Sequence, residues 1–273
     1  MNERIIRIKT SYYVQGDADF RSSVPESAFR GWESTELELS LDHTAVVCMH
    51  AWDCGSYDEF PGWHRIVPYI PRAAAIARET FPALFAAVRQ SPLPLIHVVG
   101  GGDYYKALRG YRRTLELHPN AAEPVQVVET DPVRDRLEAF RESAVYPRDE
   151  NLRDVREGFT QIDFDPNARP INDEFICENG EQLFSVCREL NINHLIYMGF
   201  AVDMCLLLSP GGMRDMNPRG LMCSVICDAT LAVETKESAP SEMAKEIGLW
   251  RVAHLYGFVY ESQSLIQALA QFR

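Results

Sequence analysis

Hydrophobic residues along this chain fall into short, almost unbroken runs, separated by longer stretches in which apolar positions recur at helical spacing. The runs Thr44–His50 (TAVVCMH), Leu93–Val99 (LPLIHVV), Asn193–Met198 and Met222–Cys227 show no alternation, as expected of strands buried on both faces of a parallel sheet. Glu174–Cys177 and Val252–Val259 read as two further strands. Between them, Pro68–Gln90 places Ala74, Ala77, Phe81, Leu84, Phe85 and Val88 on one helical face and predicts a single long helix. Gly180–Leu190 does the same with Leu183, Val186, Cys187 and Leu190, and Ser238–Leu249 and Ser262–Phe272 predict closing helices. Strand–helix alternation with right-handed crossovers predicts an α/β fold, a three-layer Rossmann-like sandwich around a mostly parallel, about six-stranded sheet.

Two segments depart from this rhythm. Residues 1–43 form an N-terminal extension in which Arg4–Val14 alternates weakly and, with Glu36–Leu41, predicts a peripheral hairpin around linker-like sequence at Gly31. Residues 44–273 then form the main domain, interrupted by a long polar insertion over 104–170. Within it Asp131–Ala144 predicts a helix and the remainder reads as irregular. A connection of that length is commonly a lid or a subunit contact.

Composition narrows the partners. A net charge of −12 argues against nucleic acid or an anionic membrane surface. No apolar stretch approaches the roughly 18–20 residues a membrane span needs, and MNERIIRIKT lacks the apolar core of a signal peptide. The seven cysteines show no metal-type spacing, and Cys48, Cys223 and Cys227 sit in strand interiors, the pattern of a reduced, cytoplasmic protein. Gly100-Gly101-Gly102 allows a sharp turn, but no dinucleotide or Walker pattern follows it. No cofactor is expected, and a dehydrogenase and a serine-elbow hydrolase both lack their fingerprints.

The most informative stretch is His194–Leu208, HLIYMGFAVDMCLLL. An apolar strand meets Gly199, turns, and re-enters an apolar run at Cys205. Ligands of open α/β sheets bind beyond the strand C-termini, where a helix start offers unpaired N–H groups and a positive dipole end to a thiolate. A free cysteine is more often a small core hydrophobe, so position alone does not decide. Gly199-Phe200-Ala201-Val202-Asp203-Met204-Cys205 resembles the nucleophile loop of the isochorismatase-like cysteine hydrolases, among them nicotinamidases and N-carbamoylsarcosine amidase. The downstream Arg214-Asp215-Met216, Gly220 and Asp228-Ala229-Thr230 keep that family's rhythm, and the resemblance spans about Thr44–Phe258.

The resemblance implies a Cys205 nucleophile, an oxyanion site from the Ala201 and Cys205 amides, and a cis peptide between Phe200 and Ala201. It also implies an Asp after the first strand and a Lys before the Gly180 helix, and both are missing. His50 occupies the Asp position, or Met49 with a one-residue shift. Either His50 acts as the base, imidazole being a common partner for a thiol, or Asp53 reaches in; His50 can equally be a structural histidine. For the Lys, Lys106 follows a core strand closely enough to be considered, though it reads more readily as a solvated lid residue. Arg169 supplies charge but no proton shuttle. Trp52, Phe200 and Tyr104 are candidate substrate contacts in an aromatic-rich crevice. The resemblance to nicotinamidases also raises a divalent-ion site, for which Asp53, Asp58, His64 and His97 are the residues that could converge; the D-x-H spacing of such sites is absent, so no metal is expected.

These features favour hydrolysis of a C–N bond in a small amide or carbamoyl substrate through Cys205. The rival is a catalytically altered small-molecule-binding or scaffold protein. Relatives commonly self-associate, so a homo-oligomer is expected.

Overall fold

A computed structural model of the chain describes residues 3–118 and 127–271. In chain order its strands are β1 (Ile5–Val14), β2 (Gly31–Ser40), β3 (Thr44–Met49), β4 (Trp52–Asp53), β5 (Leu95–Val98), β6 (Asp163–Phe164), β7 (Ile176–Cys177), β8 (His194–Phe200), β9 (Met222–Leu231) and β10 (Val259–Tyr260). Its α-helices are α1 (Pro61–Ile66), α2 (Ile70–Glu79), α3 (Phe81–Arg89), α4 (Arg109–Leu117), α5 (Pro132–Val145), α6 (Asp149–Thr160), α7 (Gly180–Glu189), α8 (Cys205–Leu208), α9 (Met213–Met216), α10 (Met243–Leu255) and α11 (Ser262–Ala270). Phe272, the expected end of the last helix, lies outside the described residues.

Eight strands form one sheet in the order β2-β1-β10-β9-β8-β3-β5-β7. The six from β10 to β7 are mutually parallel, and the N-terminal hairpin adds two antiparallel strands at one edge. The six parallel strands are the six expected, and the hairpin brings the sheet to eight. The expected peripheral hairpin lies at the sheet's edge and extends it, through Ser11 opposite Val259. Along β1, Ile6, Ile8 and Thr10 point inward, and Gly31 is no linker but the first residue of β2, paired with Val14.

Every residue of β3, β5 and β8 is buried, which is why their sequences lack alternation. Successive side chains still go to opposite faces. Val46, Cys48, Ile196 and Met198 join α2, α3 and α11 in one apolar layer, while Ala45, Val47, Leu195 and Tyr197 join α7, α9 and α10 in the other. The molecule has the three expected layers.

Three element boundaries differ from the sequence reading. The long helix over Pro68–Gln90 is two helices, because Pro82 in the first turn of α3 cannot donate a helical hydrogen bond. The predicted strand over Val252–Val259 shrinks to two residues. Its first half continues α10 to Leu255, and at Gly257 a Cβ would lie 2.5 Å from the Cys223 carbonyl oxygen; only glycine lets the chain pass there. The 104–170 insertion is more helical than expected, carrying α4 and α6 besides α5.

One topological feature positions the site. From β3 the chain winds outward through β5 and β7, then returns to the other side of β3 as β8 and winds away through β9 and β10. The order reverses between β3 and β8, and a crevice opens at the carboxyl ends of strands flanking such a reversal.

Candidate active site

The register across that reversal pairs Met49 with Gly199, so the next residues, His50 and Phe200, emerge side by side. Gly199 is indispensable to this approach. Its φ is +107°, and a Cβ there would sit 2.0 Å from the Met49 carbonyl oxygen. Thr230 Oγ1 donates to the Gly199 carbonyl at 2.6 Å and fixes the strand end from the other side.

The loop that follows is held by its own backbone. The Phe200–Ala201 peptide is cis. The Val202 amide donates to the Leu231 carbonyl at 2.8 Å and the Leu206 amide to the Ala201 carbonyl at 3.0 Å. Asp203 accepts the Val233 amide at 2.9 Å. Burial raises its carboxyl above the usual range, and the amide bond offsets this in part. Cys205 begins α8 and is partly exposed. That helix is a single turn, closing at Ser209-Pro210. Its dipole is correspondingly small, and the local donors matter more. Among the described residues, the Ala201 and Cys205 amides have no hydrogen-bond acceptor.

His50, Phe200 and Cys205 share a cavity of 390 Å³ with Trp52, Asp53 and Asp165. Its far wall comes from α1, with Trp63, and from the start of α2, with Tyr69 at its N-cap and Ile70, and its roof from the insertion, with Leu152, Val155 and Phe159 of α6. The insertion is seated by close helix contact. Asp154 accepts the Gly62 amide at 2.6 Å, and a Cβ on Gly158 would fall 2.2 Å from the Trp63 ring. Trp63 stacks on Phe159 with centroids 5.0 Å apart.

His50 has a left-handed backbone, φ +51°, which turns its ring against Trp52, with centroids 4.6 Å apart and planes 15° from parallel. Its Nδ1 is buried without a hydrogen-bond partner. Burial lowers the imidazole from 6.5 to about 4, so it is neutral near pH 7. No hydrogen bond joins His50 to Cys205 among the described residues.

The other candidates are placed as follows. Asp53 reaches the cavity from an exposed position, its carboxylate accepting the Gly55 amide at 2.9 Å. Tyr104 does not line the cavity; its hydroxyl accepts the Trp52 indole N–H at 2.9 Å and braces that ring from behind. Lys106 points elsewhere and pairs with Asp103 at 2.6 Å, because the turn after Gly102 carries it outward. Arg169 pairs with Asp163. His64 bonds the Gly55 carbonyl at 3.1 Å and His97 bonds Glu174 at 3.0 Å, so the two histidines serve different partners. Among the described residues no group of three or more potential ligands is poised for a metal.

Sequence reasoning missed Asp165, Tyr69 and Phe159. Asp165 arrives through the two-residue pairing of β4 with β6, Trp52 opposite Phe164, and its amide donates to the Ala51 carbonyl at 3.0 Å. Strands that short carry no readable pattern.

No family model matches the sequence, and no curated protein does. Among solved structures, the chain is similar to a cysteine hydrolase from Pseudomonas syringae pv. phaseolicola 1448A, at 15% identity over 86% of this chain and 96% of that one, TM-score 0.47. An isochorismatase-like hydrolase from Alkaliphilus metalliredigens gives 16% identity over 83% and 97%, TM-score 0.43. N-carbamoylsarcosine amidase from Thermoplasma acidophilum gives 13% over 81% and 96%, TM-score 0.39. Identities and TM-scores this low leave the chemistry to be read from the site itself.

Proposed function

We propose that this protein is a hydrolase that cleaves the C–N bond of an amide or carbamoyl substrate, with Cys205 as nucleophile and His50 as base. The observation that carries the reading is that Cys205 and His50 line one cavity at the sheet's topological reversal, with two acceptor-free amides in the loop that carries Cys205.

In this reading the neutral imidazole takes the thiol proton as Sγ attacks the carbonyl carbon. The oxygen, now an alkoxide, is received by the amides of Ala201 and Cys205, donors already oriented before charge develops. Collapse of the tetrahedral intermediate breaks the C–N bond, and the imidazolium returns its proton to the departing amine. Water, deprotonated by His50, then attacks the thioester and releases the acid and the free thiol. Burial keeps His50 a weak base in the empty site, and the thiolate formed beside it stabilises the imidazolium by Coulomb attraction. The family's lysine has no counterpart in the cavity, since neither Lys106 nor Arg169 lines it.

The test is amine or ammonia release from a panel of amides and carbamoyl compounds, with the unmodified protein beside Cys205→Ala. Activity lost by about 10³-fold or more in the variant, with His50→Ala comparably impaired, is the expected result. Undiminished turnover in Cys205→Ala overturns it. Silence from both proteins, with Cys205 alkylated by iodoacetamide no faster than the other cysteines, identifies a binding protein instead.

A further inference from the structure

The cavity is aromatic and carries negative charge only. Trp52, Trp63 and Phe159 make a continuous corner: Trp63 stacks on Phe159, and Phe159 meets Trp52 edge-on with centroids 5.9 Å apart. Two carboxylates, Asp53 and Asp165, line the same space, and no lysine or arginine side chain does. Neither carboxylate has an ion-pair partner among the described residues. Asp165 is only 8% exposed, and its contacts are the amide of Asn167 at 2.8 Å and the Asn167 side-chain nitrogen at 3.1 Å. The negative field of both reaches the wall between them, since burial together with Asp53 and Asp165 pushes the Cys54 thiol up to about 12.

A ligand carboxylate would enter this space against two like charges with no counterion, which costs several-fold in affinity per contact. A cation faces the reverse situation: aromatic faces attract it through their quadrupoles, tryptophan most strongly, and the carboxylates add Coulomb attraction in a partly desolvated site.

We propose that the cavity selects substrates whose non-reacting end is an alkylammonium cation, held against Trp52, Trp63 and Phe159 and neutralised by Asp165 and Asp53. The proposal rests on the hydrolase reading for the reacting end alone; the cation end stands on the cavity.

Calorimetric titration of Cys205→Ala, which removes the proposed nucleophile, tests binding apart from turnover. The probes are trimethylammonioacetamide, its uncharged isostere 3,3-dimethylbutanamide, and succinamate. The cationic amide should bind about tenfold or more tightly than the isostere, with succinamate weakest. Asp165→Asn should collapse that ratio. Asp53→Asn, at an exposed position that does not threaten folding, should reduce it in the same direction. Equal affinity for the charged and uncharged isosteres, or tighter binding of succinamate, overturns the proposal. Hydrolysis by the unmodified protein is scored separately. A cation preference without turnover sinks the hydrolase reading and leaves the cation site standing, whereas Cys205-dependent turnover without a charge preference does the reverse.

Discussion

The imidazole of His50 has lost most of its water without gaining a partner for Nδ1, and its pKa of about 4 follows from that alone. A base must be unprotonated to act, so the acid limb of kcat/KM, which reports the free enzyme, should fall near pH 4 rather than 6.5. A limb near 6.5 that survives in His50→Ala would remove His50 from the chemistry. Gly199 allows a sharper structural test. Ala at Gly220 meets open space and bears only the backbone penalty of φ +87°, about 1–2 kcal/mol. Ala at Gly199 bears a similar penalty and also collides with the Met49 carbonyl, so its urea midpoint should fall by the equivalent of at least about 3 kcal/mol. Equal costs at the two glycines would mean that β8 does not approach β3 as described. The glycine and the cysteine were both legible in the sequence as a strand–turn–thiol pattern. Asp165 was not, because nothing in a polar insertion announces which of its many carboxylates folds back over the sheet.

At the scale of elements, α6 decides whether the crevice is a cavity or an open shelf. It is attached to α1 by one buried charge-assisted hydrogen bond, Asp154 to Gly62, and by the fit of Gly158 beneath Trp63. Asp154→Ala should loosen the roof by roughly 1.5–3 kcal/mol and appear as faster amide exchange over 149–160 with little change in exchange of β3 and β8. Global acceleration would show instead that the insertion is part of the core. The sequence marked this region only as long and polar. Helical faces that pack against a single short helix, as α6 does against α1, lack the wide apolar stripe that packing on a sheet requires. The same limit explains α10, where apolar and β-branched residues near Val252 imitated a strand although the helix ran on to Leu255.

Across the whole molecule, three histidines whose charged form is disfavoured by desolvation make stability a function of pH. His50 and His194 are each lowered from 6.5 to about 4 by burial. His97 is lowered by burial as well, against the opposing pull of Glu174. In the unfolded chain all three bind protons near pH 6.5, so between pH 6.5 and about 4 the unfolded state holds more protons than the folded one and folding stability falls with pH. A displacement from 6.5 to about 4 is worth roughly 3 kcal/mol per histidine. Glu174 acts lower in the scale. Burial opposes its charge, but His97 and the bidentate Arg89, at 2.7 and 3.0 Å, hold it down at about 2. Its contribution is therefore complete above the ordinary carboxylate range and disappears as pH falls toward 2. Urea midpoints should drop steeply from pH 7 to 5, before most carboxylates protonate. His194→Gln should flatten that slope, because glutamine can still meet Ser224, which His194 contacts at 2.8 Å, without titrating. His194 lies at the start of β8, at the opposite end of that strand from Phe200 and the cavity, so the same variant should leave the kcat/KM profile in place. An unaltered slope in His194→Gln would mean that this ring is protonated in the fold, and that the sheet's base is wetter than its packing implies.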